Sequence, residues 1–454
     1  MKLWKHQEEA VSFAMKRTGT LWHMGLGTGK SRCAIELAKR IEAKRILILC
    51  PLSVIPGWGK QFDQFDPRVR VTMLTKGTVR DKAKTADKQA DLARAHAAPH
   101  AVVVNYESAR NAPLSRWLLD QDWDLLVLDE SHKIKSPQGK TSKFVGNLAR
   151  VCQKRVALTG TPMPHSPLDI WAQSRALHLG HPDAFGPSFF KFRLRYAKMG
   201  GFGGKQVVGF QNMEDLRERM GRWTFQADRS VLDLPPAIHQ TREVELCSDA
   251  RKVYNDLDQD FCARVQSGEV TAQNALVKLL RLQQLTSGVV TIEGDMERIV
   301  ERVDYSKQQA LAEILEALPP EEPVVVFGKF VADMDCVRFA ANAVDRKSLE
   351  LSGKCRQLEE WQAGEAPILG VQIQSGGTGI DLTRAAYCVY LSTGFNLGDY
   401  EQSLARCHRP GQEKTVFYYH IVSKDTVDIR VQRALESRKN LVESILQEIH
   451  NQEA

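Results

Sequence analysis

Apolar residues in this chain fall into short uninterrupted runs, separated by longer stretches in which they recur every three to four positions. Thr20–Met24, Arg45–Cys50, Ala101–Asn105, Leu125–Leu128 and Arg155–Leu158 are runs of the first kind. After a gap the pattern resumes with Pro323–Phe327, Ile368–Gln372, Tyr387–Leu391 and Val416–Ile421. A strand that is apolar at every position is buried on both faces, which points to parallel sheet covered by helices on each side. Two such blocks predict two α/β lobes in tandem. The stretch from Pro164 to Pro236 reads differently: it is rich in Gly, Phe and Arg and ends in Leu234-Pro235-Pro236, a boundary signal. The expected division is therefore a first lobe over 1–163, a mainly helical insertion or linker over 164–236, and a second lobe over 237–454. Lys76–Arg94 is polar and reads as an exposed helix or loop. From Thr426 to Ile449, the apolar residues Ile429, Leu435, Val442, Leu446 and Ile449 suit an amphipathic helix braced against a lobe.

Composition narrows this only slightly. The 454 residues exceed one ordinary core, and 43% apolar with 26% charged residues describes a globular chain. The longest apolar runs fall far short of the roughly 18 residues that a membrane span needs. Met1–Gln7 lacks the apolar centre of a secretory signal, so a cytoplasmic protein is expected. The nine cysteines occur singly, without a CxxC pair, which favours reduced thiols over a zinc site or disulfide framework. A formal charge of +7 is compatible with a polyanionic partner but does not demand one.

The chemistry is carried by Gly25-Leu26-Gly27-Thr28-Gly29-Lys30-Ser31, which follows a predicted strand and precedes a helical segment from Arg32 to Ile41. Glycines at Gly25, Gly27 and Gly29 let backbone N–H groups and a helix N-terminus face an anion, together with Thr28. Lys30 would reach the β- and γ-phosphates of a nucleotide and the Ser31 hydroxyl would ligate Mg²⁺. One irregularity stands out: the usual first glycine falls at Met24, with Gly25 one place late. The second half of such a site is an acidic pair at a strand end, and Leu125–Leu128 runs into Asp129-Glu130. Asp129 would hold Mg²⁺ and Glu130 would orient or deprotonate the attacking water.

Asp129-Glu130-Ser131-His132 resembles motif II of superfamily 2 helicases and translocases, and the rest of the set appears in order. Leu158-Thr159-Gly160-Thr161-Pro162 resembles motif III. Cys50-Pro51-Leu52-Ser53-Val54-Ile55-Pro56-Gly57-Trp58 is similar to motif Ia of the Swi/Snf branch. Gly376-Gly377-Thr378-Gly379-Ile380-Asp381-Leu382-Thr383 is similar to motif V, and the run from Gln402 through Arg406-Cys407-His408-Arg409 to Gln412 to motif VI. Ser131 stands where Ala or Gly is usual, and Asp381 where Asn is usual.

The resemblance implies two RecA-like lobes with ATP held in the cleft between them. Gln7 would read the adenine edge, and Gly379 would join the ATP site to the nucleic-acid track. Arg406 and Arg409, three apart, would act as arginine fingers on the γ-phosphate. His132, Thr159, Gly160, Thr161 and Gln402 would couple nucleotide state to lobe movement. Ser53, Trp58, Asn105, Tyr106, Gly377 and Thr378 would grip nucleic-acid phosphates without reading bases, although Trp58 also suits a core position. Lys191–Lys205 carries five basic and no acidic residues; it reads equally as a phosphate-binding surface or as a solvated face with its aromatics turned inward. The expected protein is a DNA-stimulated, ATP- and Mg²⁺-dependent translocase on double-stranded DNA. It would act as a monomer without a membrane, in a prokaryotic or viral setting. A strand-separating helicase and an ATP-gated DNA-binding switch are the alternatives. A small-molecule kinase would leave the second α/β block and its paired arginines unexplained.

Overall fold

The computed structural model describes residues 2–200, 206–266, 272–293, 298–374, 380–394, 397–433 and 435. They fall into two units, one within Met1–Asp233 and the other within Leu234–Ser437.

The strands of the first unit are β1 (Gly19–Met24), β2 (Arg45–Cys50), β3 (Arg70–Met73), β4 (His100–Asn105), β5 (Trp123–Asp129), β6 (Cys152–Thr159), β7 (Ala197–Gly200), β8 (Gln206–Phe210) and β9 (Thr224–Ala227). Seven of them form one sheet in the order β3-β4-β2-β5-β6-β1-β9, with every neighbouring pair parallel. Successive side chains of a strand point to opposite faces, and β2 shows the result. Ile46, Ile48 and Cys50 pack into one core with Val103, Val127 and Leu158. Leu47 and Leu49 pack into the other with Val104, Leu126 and Trp171. That double burial is why these strands are apolar throughout.

The second unit holds β10 (Ala237–Val244), β11 (Val289–Glu293), β12 (Arg298–Arg302), β13 (Val324–Gly328), β14 (Ser348–Leu351), β15 (Ile368–Gln372), β16 (Tyr387–Tyr390) and β17 (Val416–Ser423). Its main sheet runs β10-β17-β16-β13-β15-β14, again parallel throughout. Val325 and Phe327 of β13 face one core, Val324 and Val326 the other. The chain thus has the two RecA-like α/β lobes expected of it.

The stretch 164–236 contains helices over Ile170–His178, Phe189–Tyr196 and Met213–Gly221. It also contributes strands: β7 and β8 pair as an antiparallel hairpin, and β9 extends the first sheet beside β1. In the basic segment, Phe192 and Tyr196 turn into the core while Lys191 and Lys198 are exposed; residues 201–205, including Phe202 and Lys205, lie outside the described residues. The polar stretch from Lys76 folds as a helix, Val79–Ala95, capped by the Thr78 hydroxyl. Of the expected terminal helix, 427–433 are helical, and Val427 and Val431 pack against Tyr254 and Leu285; residues 436–449 lie outside the described set. Among the described residues no helix is long and apolar enough to cross a membrane.

Candidate nucleotide site

Strand register brings the motifs of the first unit together. His23 of β1 lies opposite Thr159 of β6, and Asp129 of β5 opposite Leu158 of β6. The glycine-rich loop, the acidic pair and Thr159-Gly160-Thr161 therefore leave adjacent strand ends at one carboxyl edge, where open α/β sheets bind ligands.

The loop is built around two left-handed glycines, Gly27 (φ 85°) and Gly29 (φ 87°), a conformation that costs other residues about 1–2 kcal/mol. Gly29 caps the helix Lys30–Arg40, whose first N–H groups face back into the loop. The Thr28 hydroxyl donates to the Gly25 carbonyl at 2.7 Å. Lys30 Nζ donates to the carbonyls of Met24 (2.9 Å) and Gly25 (3.1 Å), so the ammonium is held over the loop that a phosphate would enter. Gly25 has a separate explanation. Its φ is not left-handed, but a Cβ there would stand 2.6 Å from Arg229 Cγ and 3.2 Å from Arg229 N. Its N–H donates to the Ala227 carbonyl at 2.8 Å. The displaced glycine is thus required by the chain leaving β9, which runs against the loop.

Gln7 packs against the phosphate loop. Its Nε2 donates to the Thr28 carbonyl (3.0 Å), its Oε1 accepts from Trp4 N (3.0 Å), and it is 3% exposed. His6 Nε2 donates to the same Thr28 carbonyl at 2.9 Å. Both ends of the Gln7 amide thus brace the phosphate loop, and each keeps one further hydrogen-bonding position. Beside this brace lies a cleft of about 700 Å³, lined among others by His6, Phe13, Phe225 and Asp228.

The acidic pair is held from below. Trp58 Nε1 donates to Asp129 Oδ2 at 2.9 Å, and Glu130 N to Asp129 Oδ1 at 3.0 Å. The Tyr106 hydroxyl donates to the Asp129 carbonyl at 2.8 Å. Burial, then the neighbouring Glu130 charge, pushes the Asp129 carboxyl up to about 7 against the opposing pull of the Trp58 bond and Lys30. Two buried carboxylates that repel each other, with the Ser31 hydroxyl at the start of the adjacent helix, form a hard oxygen donor set that suits Mg²⁺. Glu130 is left-handed (φ 50°). His132 Nδ1 lies 3.4 Å from Glu130 Oε2 and 3.2 Å from Thr159 Oγ1. Thr159 Oγ1 accepts from Thr161 N at 3.0 Å, and His23 Nε2 donates to the Gly160 carbonyl at 3.0 Å. The residues expected to couple motifs II and III are thus in one hydrogen-bonded group.

That group contains a member no motif marked. The Ser131 hydroxyl donates to Gln173 Oε1 at 2.7 Å, and Gln173 Nε2 donates to the carbonyls of Pro162 (2.7 Å) and Asp169 (3.1 Å). The unusual serine is matched by a buried glutamine 42 residues on.

Three of the expected nucleic-acid contacts are buried. Trp58 and Tyr106 are each 1% exposed, and both donate into Asp129, so neither side chain can meet a phosphate outside the protein. Asn105 is also buried, with Nδ2 donating to Glu107 Oε2 at 3.0 Å. Ser53 is exposed, in the turn Leu52–Val54 ahead of the helix Ile55–Phe65.

In the second unit Arg406 occupies the last turn of the helix Leu397–Cys407 and is buried, Gln402 being half-buried on the same helix. Arg409 follows the helix end, with Nη1 donating to the Ile380 carbonyl at 3.3 Å. Leu382 N donates to the Arg406 carbonyl at 3.1 Å, and Gln412 Nε2 to the carbonyls of Thr383 (3.1 Å) and Ala385 (2.9 Å). The arginine segment is thereby stitched to the chain that follows Gly379. Asp381 Oδ1 accepts from Thr383 N (2.9 Å) and Oγ1 (2.7 Å). An asparagine would close the same turn. Gly377, Thr378 and Gly379 lie outside the described residues.

Comparison with known proteins gives matches along nearly the whole chain. A family model described as the SNF2-related domain matches residues 6–288, and one described as the helicase conserved C-terminal domain matches 306–411. A Caenorhabditis elegans protein named SWI/SNF-related matrix-associated actin-dependent regulator of chromatin subfamily A-like protein 1 homolog is 27% identical, over 94% of this chain and 59% of its own length. Putative protein p41 of Acyrthosiphon pisum secondary endosymbiont phage 1 is 26% identical over 93% of both chains. A solved Sulfolobus solfataricus SWI2/SNF2 ATPase core in complex with dsDNA shares 22% identity at a TM-score of 0.45, covering 98% of this chain and 93% of that one. The chain thus spans little more than half of the nematode relative. With the first model covering well over half of its residues, the chain belongs to the SNF2-related family.

Proposed function

We propose that this chain is a DNA-stimulated ATPase that translocates along double-stranded DNA. The observation that carries the ATPase reading is the convergence of the phosphate loop, Asp129-Glu130 and Thr159–Thr161 at one sheet edge. Lys30 exchanges its two loop carbonyls for phosphate oxygens, and the helix N-terminus behind it adds N–H donors. The base enters the cleft beside His6 and Phe225. Ser31 and Asp129 would hold Mg²⁺, which would supply positive charge to the phosphate oxygens. Glu130 orients the attacking water and accepts its proton, positioned by His132. Arg406 and Arg409 supply permanent positive charge to the transferred phosphoryl group, a contribution of about 10³–10⁵ in rate for arginine fingers.

Family membership and the chromatin role in the nematode relative's name support DNA as the track, and the phage relative supports a prokaryotic or viral setting. Ser53 and the Gly377-Thr378 backbone are the phosphate contacts retained, which makes binding independent of sequence. The test is ATP turnover by the monomeric chain with duplex DNA, single-stranded DNA and RNA, followed by triplex displacement. Strong stimulation by duplex and ATP-dependent removal of the third strand are expected. Turnover indifferent to all three nucleic acids overturns the reading. Equal stimulation by single strands with release of a labelled strand replaces it with a strand-separating helicase, and stimulation without displacement with an ATP-gated switch.

A further inference from the structure

The tryptophan of motif Ia is conspicuous for its direction. The helix Ile55–Phe65 starts at the exposed turn carrying Ser53, yet Trp58 points away from that surface and ends on the Asp129 carboxylate. An indole N–H is a donor only, and here its acceptor is Asp129 Oδ2 at 2.9 Å. The opposite oxygen is fixed by Glu130 N at 3.0 Å and the backbone by the Tyr106 hydroxyl at 2.8 Å. The carboxylate is therefore clamped in plane and in rotation, and Trp58 is the only side chain among these three donors that holds a side-chain oxygen.

We propose that Trp58 is a positioning residue for hydrolysis: its indole N–H sets the orientation in which the Asp129 carboxylate receives the catalytic divalent cation. The inference rests on reading this edge as an ATPase site, and it assigns Trp58 to that site and not to the DNA track. Partners that orient metal-binding side chains typically affect metal affinity or activity by about 10- to 100-fold when lost.

The test compares the wild-type chain with Trp58→Phe, which keeps an aromatic ring and removes the donor, and with Phe62→Leu. Phe62 lies on the same helix, buried, 6.2 Å from the Trp58 ring, and serves as a control for lost packing. Two readouts are taken: steady-state turnover as a function of Mg²⁺, and Mn²⁺ affinity in the presence of a non-hydrolysable ATP analogue, from the free-ion EPR signal. Trp58→Phe is expected to weaken Mn²⁺ about 10- to 100-fold and to move the Mg²⁺ midpoint of turnover upward, while Phe62→Leu moves neither. Unchanged Mn²⁺ affinity in Trp58→Phe, or an equal loss in Phe62→Leu, overturns the proposal. Should Trp58→Phe fail to fold, benzothienylalanine at position 58 replaces N–H by sulfur at nearly constant shape, with the same two outcomes. A wild-type chain that binds Mn²⁺ with the analogue yet never turns over ATP refutes the ATPase reading separately, and the Mn²⁺ comparison still decides the role of Trp58.

Discussion

Replacing Gly25 by alanine tests how the phosphate loop is supported. The new Cβ would stand 2.6 Å from Arg229 Cγ, well inside van der Waals contact, and 3.2 Å from Arg229 N. Backbone strain does not enter, because Gly25 is not left-handed. The cost is one of overpacking, about 1–3 kcal/mol. Of the two contacts the side-chain one is much the closer, so most of the cost should vanish when Arg229 is also shortened. The assay is urea unfolding of wild type, Gly25→Ala, Arg229→Ala and the double variant, with binding of a fluorescent ATP analogue measured in parallel. A coupling energy of at least about 1 kcal/mol in favour of the double variant is expected, since the two residues touch. The single Gly25→Ala variant should also bind nucleotide more weakly, and the double variant should recover part of that loss. Additive effects within about 0.5 kcal/mol would refute the claim that Arg229 dictates the glycine.

Other expectations are independent of this pair. Arg409→Ala should leave ATP-analogue binding nearly intact while lowering DNA-stimulated turnover by about 10³ or more; equal loss of both in binding and turnover assays would remove its assigned role. Asp428→Ala should destabilise by about 3–5 kcal/mol, because Lys307, 5% exposed, would lose a carboxylate at 2.6 Å and keep, as its hydrogen-bond acceptor among the described residues, the Leu391 carbonyl at 2.7 Å. Lys307→Met/Asp428→Leu should recover most of that stability in the same unfolding experiment. Burial pushes the His100 imidazole down to about 4, where it pairs with the Thr72 hydroxyl at 2.8 Å. Its folded value lies below the ordinary 6.5, so its contribution is complete above pH 6.5 and is lost as pH falls toward 4. The slope is up to about 1.4 kcal/mol per pH unit, and His100→Gln should remove one proton's share of it in unfolding curves taken across that window.

What the sequence revealed, and what it hid, follows sheet position. The nine apolar runs correspond to β1, β2, β4, β5, β6, β13, β15, β16 and β17, which are the interior strands of the two main sheets. The strands it missed there, β3, β9, β10 and β14, are the outermost ones. An edge strand loses a neighbour on one side and needs fewer apolar positions; Ala237–Val244 is polar along much of its length and largely exposed. The candidate site divides in the same way. Lys30, Asp129 and Thr159 were legible because their chemistry demands fixed types at strand ends. Gln173 was not, since a helix glutamine carries no spacing signal and gains its meaning only from Ser131. Trp58 and Tyr106 were legible as notable residues but not in direction: a motif records that an aromatic is needed, not which way it faces.

The position of β9 bears on how the molecule is made. The acceptor for Gly25 N–H is Ala227, about 200 residues later in the chain. At about 5–20 residues per second of synthesis, roughly 10–40 s separate the emergence of the loop from that of its brace. β1 lacks both of its neighbours until β6 is made, and lacks β9 for the rest of the interval. The nascent chain therefore carries an unpaired apolar edge long before it can hold a nucleotide, and ATP can act as a folding ligand only at the end of the unit's synthesis.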